Sequence, residues 1–147
     1  MKSFYYYLSA LVLATFLVVS CKPQATAPKA TTDTDITGKT WKLTELYGKP
    51  VHAKNPKGNP YFKLDMKEMR YQGNAGCNGL GGTFEIKPEV MRIKFNQGMS
   101  TMMACEDLDI ENQFTKAILA ADNYSVNGNT LTLNKAKMAP LAKFVLE

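Results

Sequence analysis

The chain has 147 residues, 45% hydrophobic and 21% charged, with a formal charge of +5 and an isoelectric point near 9.1. This is the composition of an ordinary globular protein; it excludes wholesale disorder and leaves room for one domain. The basic residues are scattered (Lys54, Lys57, Lys63, Lys67, Arg70, Arg92, Lys94), with no concentrated stripe or reader motif, so no nucleic-acid partner is expected.

Lys2 gives the chain a positive start, and Phe4 to Val19 is an almost unbroken apolar run. The run is at the short end for crossing a bilayer and stops at a small residue, Ser20, as a secretion signal does. Val18-Val19-Ser20-Cys21 is similar to a lipobox, in which a peptidase cuts before a cysteine whose thiol carries diacylglycerol; Val19 is bulkier than usual at its position. The rival reading is an uncleaved anchor with an incidental cysteine. The stretch from Lys22 to Ile36 is small, polar and proline-bearing, and cannot bury enough apolar area to order itself. The expected organisation is a signal peptide over 1–20, lipidated Cys21 with a flexible tether over 21–36, and one domain over 37–147. Several acyl chains on Cys21 would hold the protein to a membrane stably. Lys22 in place of Asp resembles an outer-membrane sorting signal, and Pro23-Gln24-Ala25 in place of acidic residues favours a domain facing the periplasm.

From Thr40 onward the chain reads as short strands separated by turns. Trp41, Leu43 and their polar neighbours alternate as a half-buried strand should, and Gly48-Lys49-Pro50 and 55–60 are turn segments. Tyr61–Asp65 and 68–72 are candidate strands. Phe84 and Ile86 face Met91, Ile93 and Phe95 across a connection at 87–89. A helix is expected from Leu108 to Ala121, because Ile110, Phe114, Ala117, Ile118 and Ala121 share one face. Asp107 or Asp109 can cap it, and Glu106 and Glu111 suit its positive N-terminal end. Tyr124–Val126 and Leu131–Leu133 flank Asn127-Gly128-Asn129, a strong hairpin signal, and Phe144 and Leu146 close the sheet. The predicted class is α+β: an antiparallel, partly open β-barrel-like sheet with one main helix packed on it.

Gly73-Asn74-Ala75-Gly76-Cys77-Asn78-Gly79-Leu80-Gly81-Gly82, then Thr101-Met102-Met103-Ala104-Cys105 and Glu111, carry a family resemblance. With Trp41 and Leu131, they resemble the META domain family, which includes the HslJ heat-shock lipoproteins. Trp41, Gly73, Gly76, Asn78, Gly82, Thr101, Met103 and Glu111 are taken as the signature. The resemblance implies a compact barrel-like fold, an envelope location and links to stress or antibiotic tolerance; it implies no known reaction or ligand. Physically, the glycines allow positive φ and close packing at a strand crossing, and Asn78 can bond backbone groups in the same turn. A phosphate cradle would need a Gly-Lys-Ser/Thr or a full Gly-x-Gly-x-x-Gly, and neither is present.

Cys77 and Cys105 are an even pair left after Cys21 is acylated, and in an oxidising compartment they read as a disulfide. The bridge would close a loop of about 29 residues, worth roughly 3.5 kcal/mol. The alternatives are two buried free thiols and, more distantly, a reactive nucleophile. His52 is the sole histidine and has no partner motif, so cysteine hydrolysis is not expected, nor is a zinc site. Asp107-x-Asp109-x-Glu111 would need Gly at 112 and Glu at 118 for calcium, where Asn112 and Ile118 stand. Met99, Met102 and Met103 could offer thioethers to Cu(I), but methionines at such spacing more often fill a core or make a pliable contact surface. No enzyme activity and no cofactor are expected. Three functions compete. The first is an envelope module that binds a protein partner or supports stress tolerance. The second is a carrier of a small hydrophobic ligand or lipid, in a pocket lined by Phe62, Leu64, Phe84, Ile93 and Phe114. The third is a metal or redox sensor.

Overall fold

Alternation of apolar and polar side chains drives most of the chain into short strands. The computed structural model describes residues 34–54 and 58–147; the expected signal peptide, Cys21 and tether residues 22–33 lie outside them. Among the described residues the strands are β1 (Thr40–Leu46), β2 (Lys49–Pro50), β3 (Tyr61–Asp65), β4 (Arg70–Asn74), β5 (Gly79–Lys87), β6 (Arg92–Asn96), β7 (Asn123–Asn127), β8 (Thr130–Asn134) and β9 (Ala142–Leu146). Among the described residues one α-helix, α1 (Leu108–Ala120), connects β6 to β7, and a short 3-10 turn (Pro88–Val90) joins β5 to β6.

All pairings are antiparallel, and β1 pairs with both β3 and β9, so the order β1-β3-β4-β5-β6-β7-β8-β9 returns to its start. The α+β barrel expected from the sequence is present, but it is a closed ring of eight strands, not a partly open one. β2 is a short appendage on β1. What remains of the expected opening is a thin seam. β6 and β7 share a single register pair, Arg92 with Asn123, reinforced by Tyr124 N–H to Met91 O at 3.0 Å and Ile93 N–H to Asp122 O at 3.3 Å. At the seam the Asp122 carboxylate accepts bonds from Ala136 N–H at 2.8 Å and Asn123 Nδ2 at 2.7 Å.

The interior follows from strand phase. β3 turns Phe62 and Leu64 inward and Tyr61, Lys63 and Asp65 outward. β1 begins with Trp41 and Leu43 inside, and an irregularity between Leu43 and Glu45 resets the phase so that Leu46 is inside as well. Aromatic rings then fill the ring's centre edge-to-face: Phe62 lies 5.0 Å from Phe144 and 5.8 Å from Phe95, and Tyr71 lies 5.2 Å from Phe95. Each such pair adds about 0.5–1.5 kcal/mol beyond simple burial.

α1 packs on β6 and, across the ring, on β1 and β9, so it lies over one mouth and buries Phe114, Ala117 and Ile118. The chain enters at the other end. β1 starts next to Ile36 and runs toward the helix, where Leu46 shares a small cleft with Ile110. Composition assigns Ile36 to the tether, yet its side chain is fully buried. It is held by the Trp41 indole N–H, which donates to Ile36 O at 2.8 Å, while Gly38 N–H donates to Leu64 O at 2.8 Å.

Candidate functional site

The turn from β4 to β5 lies at the rim that α1 covers. Asn74 Oδ1 accepts the Gly76 N–H at 2.9 Å, and Ala75 N–H donates to Asn78 O at 2.7 Å. Between them Gly76 takes φ +130°, where a side chain would be strained. This compact turn drives Asn78 into the protein, where it is 1% exposed. There all four hydrogen-bonding positions of its amide are used. Its oxygen accepts from the Thr101 hydroxyl at 2.8 Å and from Met103 N–H at 2.7 Å. Its nitrogen donates to Glu111 Oε1 at 2.9 Å and to Met103 O at 3.1 Å.

The backbone N–H of Asn78 donates to the second Glu111 oxygen at 3.0 Å. The buried carboxylate is thus gripped at both oxygens and sits in the first turn of α1, near the helix's positive end. A carboxylate buried without such partners would cost several kcal/mol. No buried side-chain nitrogen or oxygen among the described residues lacks a partner. Asp107 does occupy the N-cap position but makes no side-chain cap bond; its carboxylate instead accepts from Lys54 N–H at 2.9 Å. The Asp107 and Glu111 carboxylates are therefore turned to different partners, and no group of three or more metal-ligating His, Cys, Asp or Glu occurs among the described residues.

Residues 98–105 form a rim segment fastened along this knot. Gly81 N–H donates to Met99 O at 3.0 Å, Leu80 bridges Ser100, and Thr101 N–H donates to Gly79 O at 3.2 Å. The Gly79 N–H returns a bond to the Thr101 hydroxyl at 3.1 Å, and a Cys77–Cys105 disulfide closes the far end with Cα atoms 6.3 Å apart. Neither thiol is free, so neither is a nucleophile. The segment can approach this closely only because of small residues. A Cβ on Gly98 would stand 2.0 Å from Gly81 O, and one on Gly82 would stand 2.4 Å from Asn96 O and 2.7 Å from the Tyr71 ring. Gly73 is required in the same way, against Tyr61 O at 2.0 Å. The glycine run thus serves close approach more than positive φ, which it uses at Gly76.

Between the rim segment and α1 lies an open groove of about 850 Å³, lined among others by Met102, Met103, Leu108, Thr115, Lys116 and Leu119. Met102 is 98% exposed, Met99 83% and Met103 50%. These methionines are therefore surface, not core. The family-signature position Met103 contributes its backbone to the knot, leaving its side chain in the groove.

Of the sequence-derived candidates, Gly73, Gly76, Asn78, Gly82, Thr101, Met103 and Glu111 converge on this rim. Trp41 does not; it closes the opposite end. Phe62, Leu64, Phe84, Ile93 and Phe114 are brought together, but as packed core. The groove lies outside them. His52 is exposed after β2, beside Leu46 and Ile110. Two organising residues escaped the sequence reading. Gly98 sits where a single glycine after a strand signals close backbone approach. Asn59 donates to Leu43 O at 3.1 Å and Val51 O at 2.8 Å and accepts from Ala53 N–H at 2.8 Å; its Asn-Pro step marked only a turn. Among the described residues no helix is long and apolar enough to cross a membrane.

Fold and rim together define a helix-capped antiparallel barrel whose cap is locked by a buried Asn–Glu–Thr knot and a disulfide. Residues 34–147 match the META domain family, and the chain belongs to it. Comparison with curated proteins finds no match. Solved structures share the fold. A crystal structure of a DUF4847 family protein from Bacteroides vulgatus is 17% identical, with a TM-score of 0.58, covering 75% of this chain and 93% of that one. An NMR structure of a protein from Burkholderia xenovorans is 19% identical, with a TM-score of 0.60 and coverage of 86% and 96%. A further NMR structure is 21% identical, with a TM-score of 0.58 and coverage of 76% and 91%.

Proposed function

We propose that this protein is a lipid-anchored, non-enzymatic envelope module that presents the groove between the rim segment and α1 to a protein partner. Cys21 carries the lipid, the outer membrane holds it, and the domain faces the periplasm in a stress-tolerance role. The observation that carries this reading is how the family-signature residues are employed. Asn78, Thr101 and Glu111 bond one another and backbone, which leaves none of them free for acid–base work. What they hold in place is a segment with exposed methionines along an apolar groove. Methionine is flexible and polarizable, which suits a surface that must fit a partner. The groove also lies at the end of the barrel away from Ile36, where the chain arrives from its tether.

The carrier alternative gains little from the packing, since Phe62, Phe84 and Phe114 occupy the interior that a lipid would need. The test is site-specific photo-crosslinking in the native envelope. A photo-reactive residue at Thr115, in the groove, should capture a discrete envelope protein. One at Lys63, on the outer face of β3, should not, and Leu119→Asp should abolish capture at Thr115. Equal labelling from both positions, or capture that survives Leu119→Asp, would discard the reading. Fractionation of Cys21→Ser checks the anchor: the protein should leave the membrane fraction.

A further inference from the structure

Of the eight methionines in the chain, three fall at positions 99, 102 and 103, with side chains at least half exposed. The bonds that fasten this segment run through backbone: Met99 O to Gly81 N–H, and Met103 N–H and O to the Asn78 amide. Met102 is almost wholly exposed, and it lines the groove together with Met103. By contrast Met69 packs against the core. We propose that Met102 and Met103, with Met99 beside them, are a site of reversible oxidation by peroxides, and that oxidation turns the groove off. This rests on the groove being the binding surface.

The chemistry needs only the thioether and a two-electron oxidant. The sulfur attacks one peroxide oxygen; an S–O bond forms as the O–O bond breaks. Sulfur loses two electrons, the peroxide gains them, and the departing oxygen takes the proton and leaves as water or alcohol. The product is a methionine sulfoxide, polar where the groove lip was apolar. A buried methionine so modified would disrupt its core. Here the knot, the disulfide and the backbone ladder do not involve the modified atoms. The fold therefore survives and only the contact surface changes. Methionine sulfoxide reductases reverse the step, which makes the rim a two-state surface set by the oxidant level.

The experiment uses the mature chain carrying Cys21→Ser, with anilinonaphthalene sulfonate as an apolar probe of the groove. Leu119→Asp marks where the dye sits. Titration with hydrogen peroxide, followed by peptide mass mapping, should add one oxygen to Met102 and Met99 first, then to exposed Met138 in the β8–β9 loop and to half-exposed Met103 and Met66, ahead of Met91 and Met69. Dye affinity should fall about tenfold, as loss of apolar contact predicts, with an unchanged melting temperature, and sulfoxide reductase should restore it. In the Met102→Leu/Met103→Leu pair, whatever dye affinity the altered groove has should no longer fall with peroxide, because no thioether remains at its lip. Oxidation of Met91 or Met69 ahead of Met102, or undiminished dye affinity after Met102 and Met103 are oxidised, would overturn the proposal while leaving the groove intact. If Leu119→Asp leaves dye binding unchanged, the groove reading itself fails and the proposal with it.

Discussion

At the entry end of the barrel, Ile36 is buried whole and the Trp41 indole N–H secures its carbonyl. At the helix end, closure depends on a carboxylate, an amide and a hydroxyl that bond one another, with a disulfide alongside. Apolar closure tolerates imprecision, because burial scales with area and has no preferred direction. Polar closure does not: each donor must meet its acceptor, and one missing member leaves a buried group stranded. The protein therefore spends its exacting geometry on the end that carries the groove. The family signature clusters there for the same reason, with Trp41 as its outlier at the plain end.

The comparison can be broken most sharply at Asn78. Asn78→Ala removes the amide that bonds one Glu111 oxygen, the Thr101 hydroxyl and the Met103 backbone at once, leaving Glu111 only the residue-78 backbone N–H; unfolding in urea should show a loss of about 3–5 kcal/mol. Hydrogen exchange should open first across residues 98–111 and last around Ile36. A loss confined to the entry end would contradict the contrast between the two mouths. Next comes the covalent tie. Replacing Cys77 and Cys105 together with Ser should cost about 3 kcal/mol, read from the same denaturant curves, through freedom returned to the unfolded chain. The plug follows: Ile36→Ala should cost about 2–3 kcal/mol by thermal melting, at the lower end for buried aliphatic truncation because a mouth can relax into the space. A larger loss there than at Asn78 would invert the ranking.

The smallest effect belongs to the seam. The Ala136 backbone N–H first, then the Asn123 amide, with Arg92 and Lys135 nearby, hold the Asp122 carboxyl below the usual carboxylate range. A depressed folded-state value means the contribution is complete above the ordinary carboxylate value and is lost as pH falls through the depressed one. An NMR titration of the Asp122 carboxyl should show this low midpoint. In Asp122→Asn, the slight softening of β6–β7 on acidification should disappear.

Much of the fold was legible because it is local. The helix over 108–120 and the hairpin around Gly128 follow from spacing and turn chemistry within a few residues, and both stand as expected. Closure was not legible, since it depends on β1 meeting β9, a register that no local pattern encodes. The bulge after Leu43, which breaks strict alternation, hid one end of that register. At the site, the residues Asn78, Thr101 and Glu111 could be named from the family resemblance. Their mutual bonds could not, because each lies on a different element. For the methionines the sequence left core filling and a contact surface both open, for a physical reason: an apolar side chain does not tell which it serves until its backbone is found to bear the attachment.

The meeting of β1 with β9 also sets a timetable. Lys42 and Glu147, 105 positions apart, sit close enough for an ion pair at 3.2 Å, and Glu147 N–H reaches Thr40 O at 3.1 Å. Until β9 is available, β1 and β8 each present an unsatisfied edge, and the helix lacks one wall of its seat. Such long-range pairing is slow to form. A chain emerging amino-end first from the ribosome would thus leave its barrel open through most of its synthesis and settle only once β9 had appeared.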